Sequence, residues 1–299
     1  IIFYGHLPKE GDVPIGGGEV GNSRTVKMLK GAGYSVKIVR MQKPSLKFGA
    51  LFAKLLYPLR LLSVFIRFFI CLLFSSRKSI VHISGFAGVN VWSEAVLICM
   101  AKKLGYFAIY EQRAGGAIQY YENGSPQYKR VYSYILKNAD YIFTQGEENR
   151  PLMRKITDKP IYHYPNCVED SFAPSNLPKK SDDEIKLLYF GRVENTKHPD
   201  VVVKVASIIQ NKYSKTKLTI IGGGYPEEIE KMKILMESNL IKDTYVYIPG
   251  LPHNDLATIL KDFHFYIFPS TQPREGQSNS VTECMSFGII PIASPQGFN

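Results

Sequence analysis

Short runs rich in β-branched and aromatic residues alternate along the chain with longer segments whose apolar positions recur at helical spacing. In the first half, residues 1–5, 35–40, 79–84, 106–110, 141–144 and 161–164 read as strands. The segments 19–30, 91–104, 127–138 and 147–156 read as helices. Residues 167–184, rich in Pro, Ser and charge, break the alternation and read as a linker. A second series follows, with strands at 186–190, 217–221, 245–248, 265–268 and 289–293 and helices at 199–212, 227–238, 254–262 and 278–287. Strand–helix alternation of this kind builds parallel sheets covered by helices. The expected fold class is therefore α/β, with two doubly wound domains at 1–166 and 185–299 facing a cleft. Ligands in such folds sit at the carboxyl ends of the strands.

One segment departs from this pattern. Residues 48–76, FGALFAKLLYPLRLLSVFIRFFICLLFSS, are apolar nearly throughout. Lys54, Arg60 and Arg67 interrupt them, so no uncharged run reaches the roughly 18 residues of a spanning helix. Pro58 kinks or restarts a helix there. Arg60 and Arg67, seven apart, share one helical face. From Arg24 to Ser93 the chain has twelve Lys and Arg and no Asp or Glu. Of the net charge of +11, this stretch carries +12 and everything else −1. A local basic surface implies an anionic partner: lipid, a phosphorylated substrate or nucleic acid. Apolar bulk with basic boundary residues suits a helix lying in a membrane interface, with Lys54, Arg60 and Arg67 as its contacts. A crossover helix packed on its own sheet and a true span are the competing readings.

The 299 residues are 45% hydrophobic, enough for two cores, which excludes wholesale disorder. The four cysteines form no CxxC, so reduced cytosolic thiols fit better than a disulfide framework or a zinc knuckle. The six histidines form neither HxxxH nor HExxH, and no DxD occurs, so no metal is expected. No RRM, OB, helix-turn-helix or zinc-finger pattern accompanies the basic charge, which argues against a nucleic-acid partner. The chain opens at Ile1 in a strand-like run and closes in a loop at 295–299, which reads as trimmed at both ends with no signal peptide visible.

Three segments of the second half carry candidate chemistry. Arg192 and Lys197 leave the carboxyl end of the strand LLYF, where two cations can hold a diphosphate; a solvated pair is the alternative. Gly222-Gly223-Gly224 ends the next strand, with neither Rossmann nor Walker spacing, and reads as a close backbone approach or as a plain turn. Glu275-Gly276-Gln277-Ser278-Asn279-Ser280-Val281-Thr282-Glu283 follows the strand FYIFPS. A helix starting near Ser278 would turn its free N–H groups toward an anion, with Glu275 before it and Glu283 more than a turn inside. Both carboxylates can accept sugar hydroxyls; their alternative is a first-turn charge and an exposed helix face. In the first half, Gly16-Gly17-Gly18 precedes a helix, and the loop beginning Glu111-Gln112-Arg113 follows a strand. His6, His82 and Arg113 lie near strand ends and are acceptor-side candidates.

In this order the segments resemble retaining GT-B glycosyltransferases of family 4, group 1. The resemblance is carried by GRVENTKHPDVVVKVA, KLTIIGGG, VYIPGL and FYIFPSTQPREGQSNSVTECMSFGIIPIAS, with the Glu-x7-Glu element Glu275 to Glu283 as its signature. The first half fits more loosely, through GGGEVGNSRTVKMLKGAGYSVKIV, ADYIFTQGEE and YHYPNCVED. The resemblance implies two Rossmann-like domains and a nucleotide-diphosphate sugar held mainly by the second. Arg192 and Lys197 would hold the diphosphate, Glu275 the donor sugar and Glu283 the ribose. Gln277, Ser278, Asn279 and Ser280 would support the phosphate, with Gly17, Gly18 and Gly223 approaching the donor. It also implies retention of configuration with no cofactor and no metal. Family members continue past the strand IIPIAS, so the C-terminal domain reads as truncated. With the basic apolar segment, the expectation is a cytoplasmic enzyme, peripheral at the inner face of the membrane, acting on a lipid-linked or saccharide acceptor in surface-polysaccharide synthesis. A GT-B epimerase of nucleotide sugars and an inactive membrane scaffold are the alternatives.

Overall fold

The computed structural model describes residues 1–9, 12, 16–41, 55–273 and 275–298. They form two compact units, Ile1–Pro165 and Asn166–Asn299.

In the first unit, strands β1 (Ile2–Gly5), β2 (Lys37–Arg40), β3 (Ile80–Gly85), β4 (Phe107–Gln112), β5 (Tyr141–Thr144) and β6 (Ile161–His163) make one parallel sheet in the order β2-β1-β3-β4-β5-β6. Its helices are α1 (Gly17–Gly31), α2 (Tyr57–Leu73), α3 (Asn90–Lys103), α4 (Ala117–Glu122), α5 (Pro126–Asn138) and α6 (Arg150–Ile156). Alternate residues of the strands, such as Ile2, Tyr4, Val81, Ile83, Ala108 and Tyr110, enter one core with Phe68 and Leu72 of α2, Leu97 of α3 and Ile135 of α5. Fully burying such a side chain stabilises by roughly 1.5–3 kcal/mol. Residues 57–73 of the apolar segment form α2, with Pro58 in the first turn, where its missing N–H costs nothing. Lys37 Nζ donates to the Phe74 carbonyl just past its end, satisfying a helix terminus with a cation. Among the described residues no helix is long and apolar enough to cross a membrane. Lys54 lies outside the described residues.

In the second unit, β7 (Ile185–Phe190), β8 (Thr216–Ile221), β9 (Tyr245–Ile248), β10 (Phe265–Phe268) and β11 (Ile290–Ala293) form a parallel sheet in the order β11-β10-β7-β8-β9. Its helices are α7 (Pro199–Lys212), α8 (Pro226–Asn239), α9 (His253–Leu260) and α10 (Asn279–Ser286). Residues 167–184 belong to this unit: Phe172 is buried in its core, edge-on to Phe287. Two features place sites. In each sheet one strand has its sequence successors on both sides, β1 in the first and β7 in the second, and beside it the crossover direction reverses. At such a switch point the flanking loops part and leave a crevice at the carboxyl edge.

Candidate functional site

The second unit's switch point lies between β7 and β10. The loops leaving β7 and β8 run as a continuation of the sheet, with Gly191 N donating to Ile221 O (3.0 Å) and Val193 N to Gly223 O (2.9 Å). This needs glycine: a Cβ on Gly222 would stand 1.7 Å from Gly191 O, and one on Gly224 2.2 Å from Val193 O. A Cβ on Gly223 would meet nothing within 4 Å, so its backbone is the approachable part of the triplet.

The loops after β7 and β10 converge on one carboxylate. Lys197, ending a 3₁₀ turn at Asn195–Lys197, donates from Nζ to Glu275 Oε2. Ser270 Oγ donates to the same oxygen at 2.9 Å. The Phe268 ring lies 4.9 Å from Nζ. The two charged side chains are only 12% and 13% exposed, so the pair is largely desolvated and fixed. Thr271 N to Thr196 O (2.9 Å) and His198 Nε2 to Thr271 Oγ1 (2.7 Å) tie the loops beside it. Arg192 differs. Its side chain is 65% exposed, with Nη1 3.4 Å from Glu194, so it stands at the rim with a loosely held cation.

Helix α10 begins beside these loops. Its N-cap Ser278 makes no side-chain capping bond to the helix. Ser278 Oγ meets Ser280 Oγ (2.8 Å), which meets Tyr266 OH (2.7 Å), which donates to Phe190 O at the end of β7 (3.0 Å). The helix start is thereby anchored to the switch-point strands, and a helix N-terminus there suits an anion. Gln277 is pinned by Asn166, whose N donates to Oε1 (2.5 Å) and Nδ2 to the Gln277 carbonyl (2.7 Å). Asn279 is the first residue of the helix. Glu283 is buried and bonded through Oε1 to His253 Nε2 (3.0 Å), whose ring stacks on Phe172 at 4.1 Å.

The first unit's candidates gather at its own carboxyl edge, in two settings. Gly17 and Gly18 open α1; a Cβ on Gly18 would come 3.1 Å from the Phe86 ring. His6 follows β1, edge-on to Phe86 at 4.8 Å. His82 and Arg113 are instead buried. His82 Nε2 lies 2.8 Å from Glu111 Oε2, and Arg113 Nη2 lies 2.7 Å from Glu111 Oε1 and 3.0 Å from Thr25 Oγ1. Burial alone would push the Glu111 carboxyl up, but the Arg113 guanidinium and His82 hold it below its usual range. Within this unit both side chains therefore brace the sheet edge under α1.

Sequence reasoning missed Ser270, His253 and Asn166. Ser270 sat in plain view in FPS, but nothing in the spacing assigns its hydroxyl to Glu275. His253, at the start of α9, reaches Glu283 of α10, and Asn166 reaches Gln277 just before it, from positions far along the chain, which no local pattern shows.

Residues 174–299 match the family described as glycosyl transferases group 1. An uncharacterized glycosyltransferase of Haemophilus influenzae is 30% identical over 124 residues, covering 42% of this chain and 33% of that protein. The matched stretches span less than half the length of the curated relatives. A glycosyltransferase of Rickettsia africae superposes with a TM-score of 0.71 at 16% identity, over 100% of this chain and 80% of that one. Anabaena HepE, solved with UDP and glucose, gives 0.60 at 11%, over 99% and 81%. The fold is that of GT-B glycosyltransferases. Within the chain, the similarity to the glycosyl transferases group 1 family lies in the second unit.

Proposed function

We propose that the chain transfers a sugar from a nucleotide-diphosphate sugar to an acceptor hydroxyl with retention of configuration. The observation that carries this reading is the Lys197–Glu275–Ser270 cluster at the switch point of the second sheet, beside the start of α10. Lys197, Arg192 and the first N–H groups of α10 would neutralise the diphosphate as it departs. Glu275, held by Ser270, would fix the donor sugar, and Glu283, oriented by His253, the ribose hydroxyls. The bond between the anomeric carbon and the phosphate oxygen breaks as the acceptor oxygen bonds to that carbon. The acceptor proton passes to the departing phosphate. Catalysis is then mainly positioning and charge stabilisation, and we assign no metal or cofactor to it.

UDP and glucose in the Anabaena neighbour support a nucleotide-sugar donor. The acceptor is a lipid-linked saccharide of surface-polysaccharide synthesis, met at the inner face of the cell membrane; the basic, acid-free stretch from Arg24 to Ser93 supports this. Calorimetry of Lys197→Ala with UDP, GDP, ADP and the matching nucleosides tests the donor site. Losing one charge-assisted bond, about 1.5–3 kcal/mol, should weaken diphosphate binding roughly tenfold or more and leave nucleoside binding alone. Equal loss for both ligands would remove the phosphate role.

A further inference from the structure

Helix α2 buries one face and leaves the other bare. Val64, Phe68 and Leu72 enter the core of the first unit. On the opposite side Leu59, Leu62, Ile66, Phe69 and Leu73 follow one another at helical spacing and are 41–63% exposed. A surface helix ordinarily turns polar residues outward; here the outward face is aliphatic and aromatic. Its flank is cationic. Arg67 lies about 120° around the helix from this stripe, and Arg77 and Lys78 follow its end, all three exposed and in a stretch without a single carboxylate.

We propose that this face of α2 docks on an anionic lipid bilayer, lying in the plane of the interface with the stripe in the acyl boundary and the arginines among the headgroups. Charge complementarity selects this occupant. A two-fold contact between copies would bring the same cationic flanks toward each other, whereas anionic headgroups neutralise them. Seventeen residues carrying two arginines lie in an interface and do not span it. The inference deepens the lipid-linked acceptor reading above, since it puts the first unit where such an acceptor is found, but its own support is the geometry of α2.

Vesicle flotation tests it, with phosphatidylcholine alone and with phosphatidylcholine plus phosphatidylglycerol. The wild-type chain should float with the anionic vesicles and lose that binding in high salt. Leu62→Glu/Ile66→Glu and Arg67→Gln/Lys78→Gln should each weaken it by about tenfold or more. These outward residues are not part of a core, so circular dichroism and melting should match wild type. No flotation with anionic vesicles overturns the proposal, as does binding indifferent to both variants. A dimer in light scattering that Leu62→Glu/Ile66→Glu dissolves also overturns it, because a second copy then covers the stripe. UDP calorimetry of the same variants separates the two readings: donor affinity fails or survives independently of lipid binding.

Discussion

Lys197 and Glu275 show how much one residue's chemistry depends on its partners. Both were singled out in the sequence, Lys197 as a cation just after a strand and Glu275 as an acid before a helix start, each with an ordinary solvated charge as its alternative. Their bond to each other was not legible, since 78 positions separate them and only the sheet brings the loops together. The contact sharpens the expected division of labour. Glu275→Gln keeps an acceptor for Lys197 and Ser270 but removes the negative charge, so it should lower kcat by an order of magnitude or more and leave UDP affinity within about twofold. Glu283→Gln should instead weaken UDP affinity, because it disturbs the carboxylate held by His253. Calorimetry and steady-state rates on both variants decide the matter, and identical profiles would refute separate roles. Ser270→Ala should reproduce the Glu275 phenotype weakly, at about 1 kcal/mol, because it loosens that carboxylate without removing it.

Among the elements, boundaries were legible to within a residue or two wherever periodicity was clean. Residues 199–212, 245–248 and 265–268 coincide with α7, β9 and β10. Two segments went otherwise, each for a physical reason. The short helix α4, AIQYYE, arises within a segment whose glycines and polar residues read as loop. The Pro-rich stretch 167–184 packs onto the second unit because Phe172 finds Phe287 and His253. The glycine triplet shows a finer limit. From sequence its three members are equivalent, but the backbone of the neighbouring loop separates them. Gly222→Ala should destabilise the second unit by about 3 kcal/mol or more, since its methyl collides with backbone that cannot give. Gly223→Ala should leave the melting temperature nearly unchanged yet reduce UDP affinity. Thermal melts with and without UDP read both effects at once, and a Gly223→Ala protein with full affinity would take that backbone out of the site.

For the molecule as a whole, strand–helix alternation announces two parallel sheets, but strand order does not follow from it; long-range packing sets which neighbour each strand takes. The same packing encloses a carboxyl that sequence would place on a helix surface. Glu94 of α3 is buried in the first unit, accepting from Phe86 N (2.7 Å) and Tyr110 OH (2.8 Å). Burial pushes its pKa up to about 8, against an ordinary value of 4.5, although both hydrogen bonds favour the ionised form. The folded state therefore keeps a proton that the unfolded chain releases. Its stabilising contribution is complete below pH 4.5 and is lost as pH climbs toward 8, by up to about 1.4 kcal/mol per pH unit. Glu111 works oppositely, because its lowered pKa contributes stability above the ordinary carboxylate range that disappears as pH falls. The two windows adjoin, so a scan between pH 5 and pH 8 should be dominated by Glu94. Glu94→Gln copies the protonated acid, with an oxygen to accept from Phe86 and an amide to donate to the Tyr110 oxygen. Urea midpoints of wild type should decline across that scan, those of Glu94→Gln should stay flatter, and the variant should be the more stable protein at pH 8. Parallel declines would mean that the burial of this carboxyl does not govern its proton.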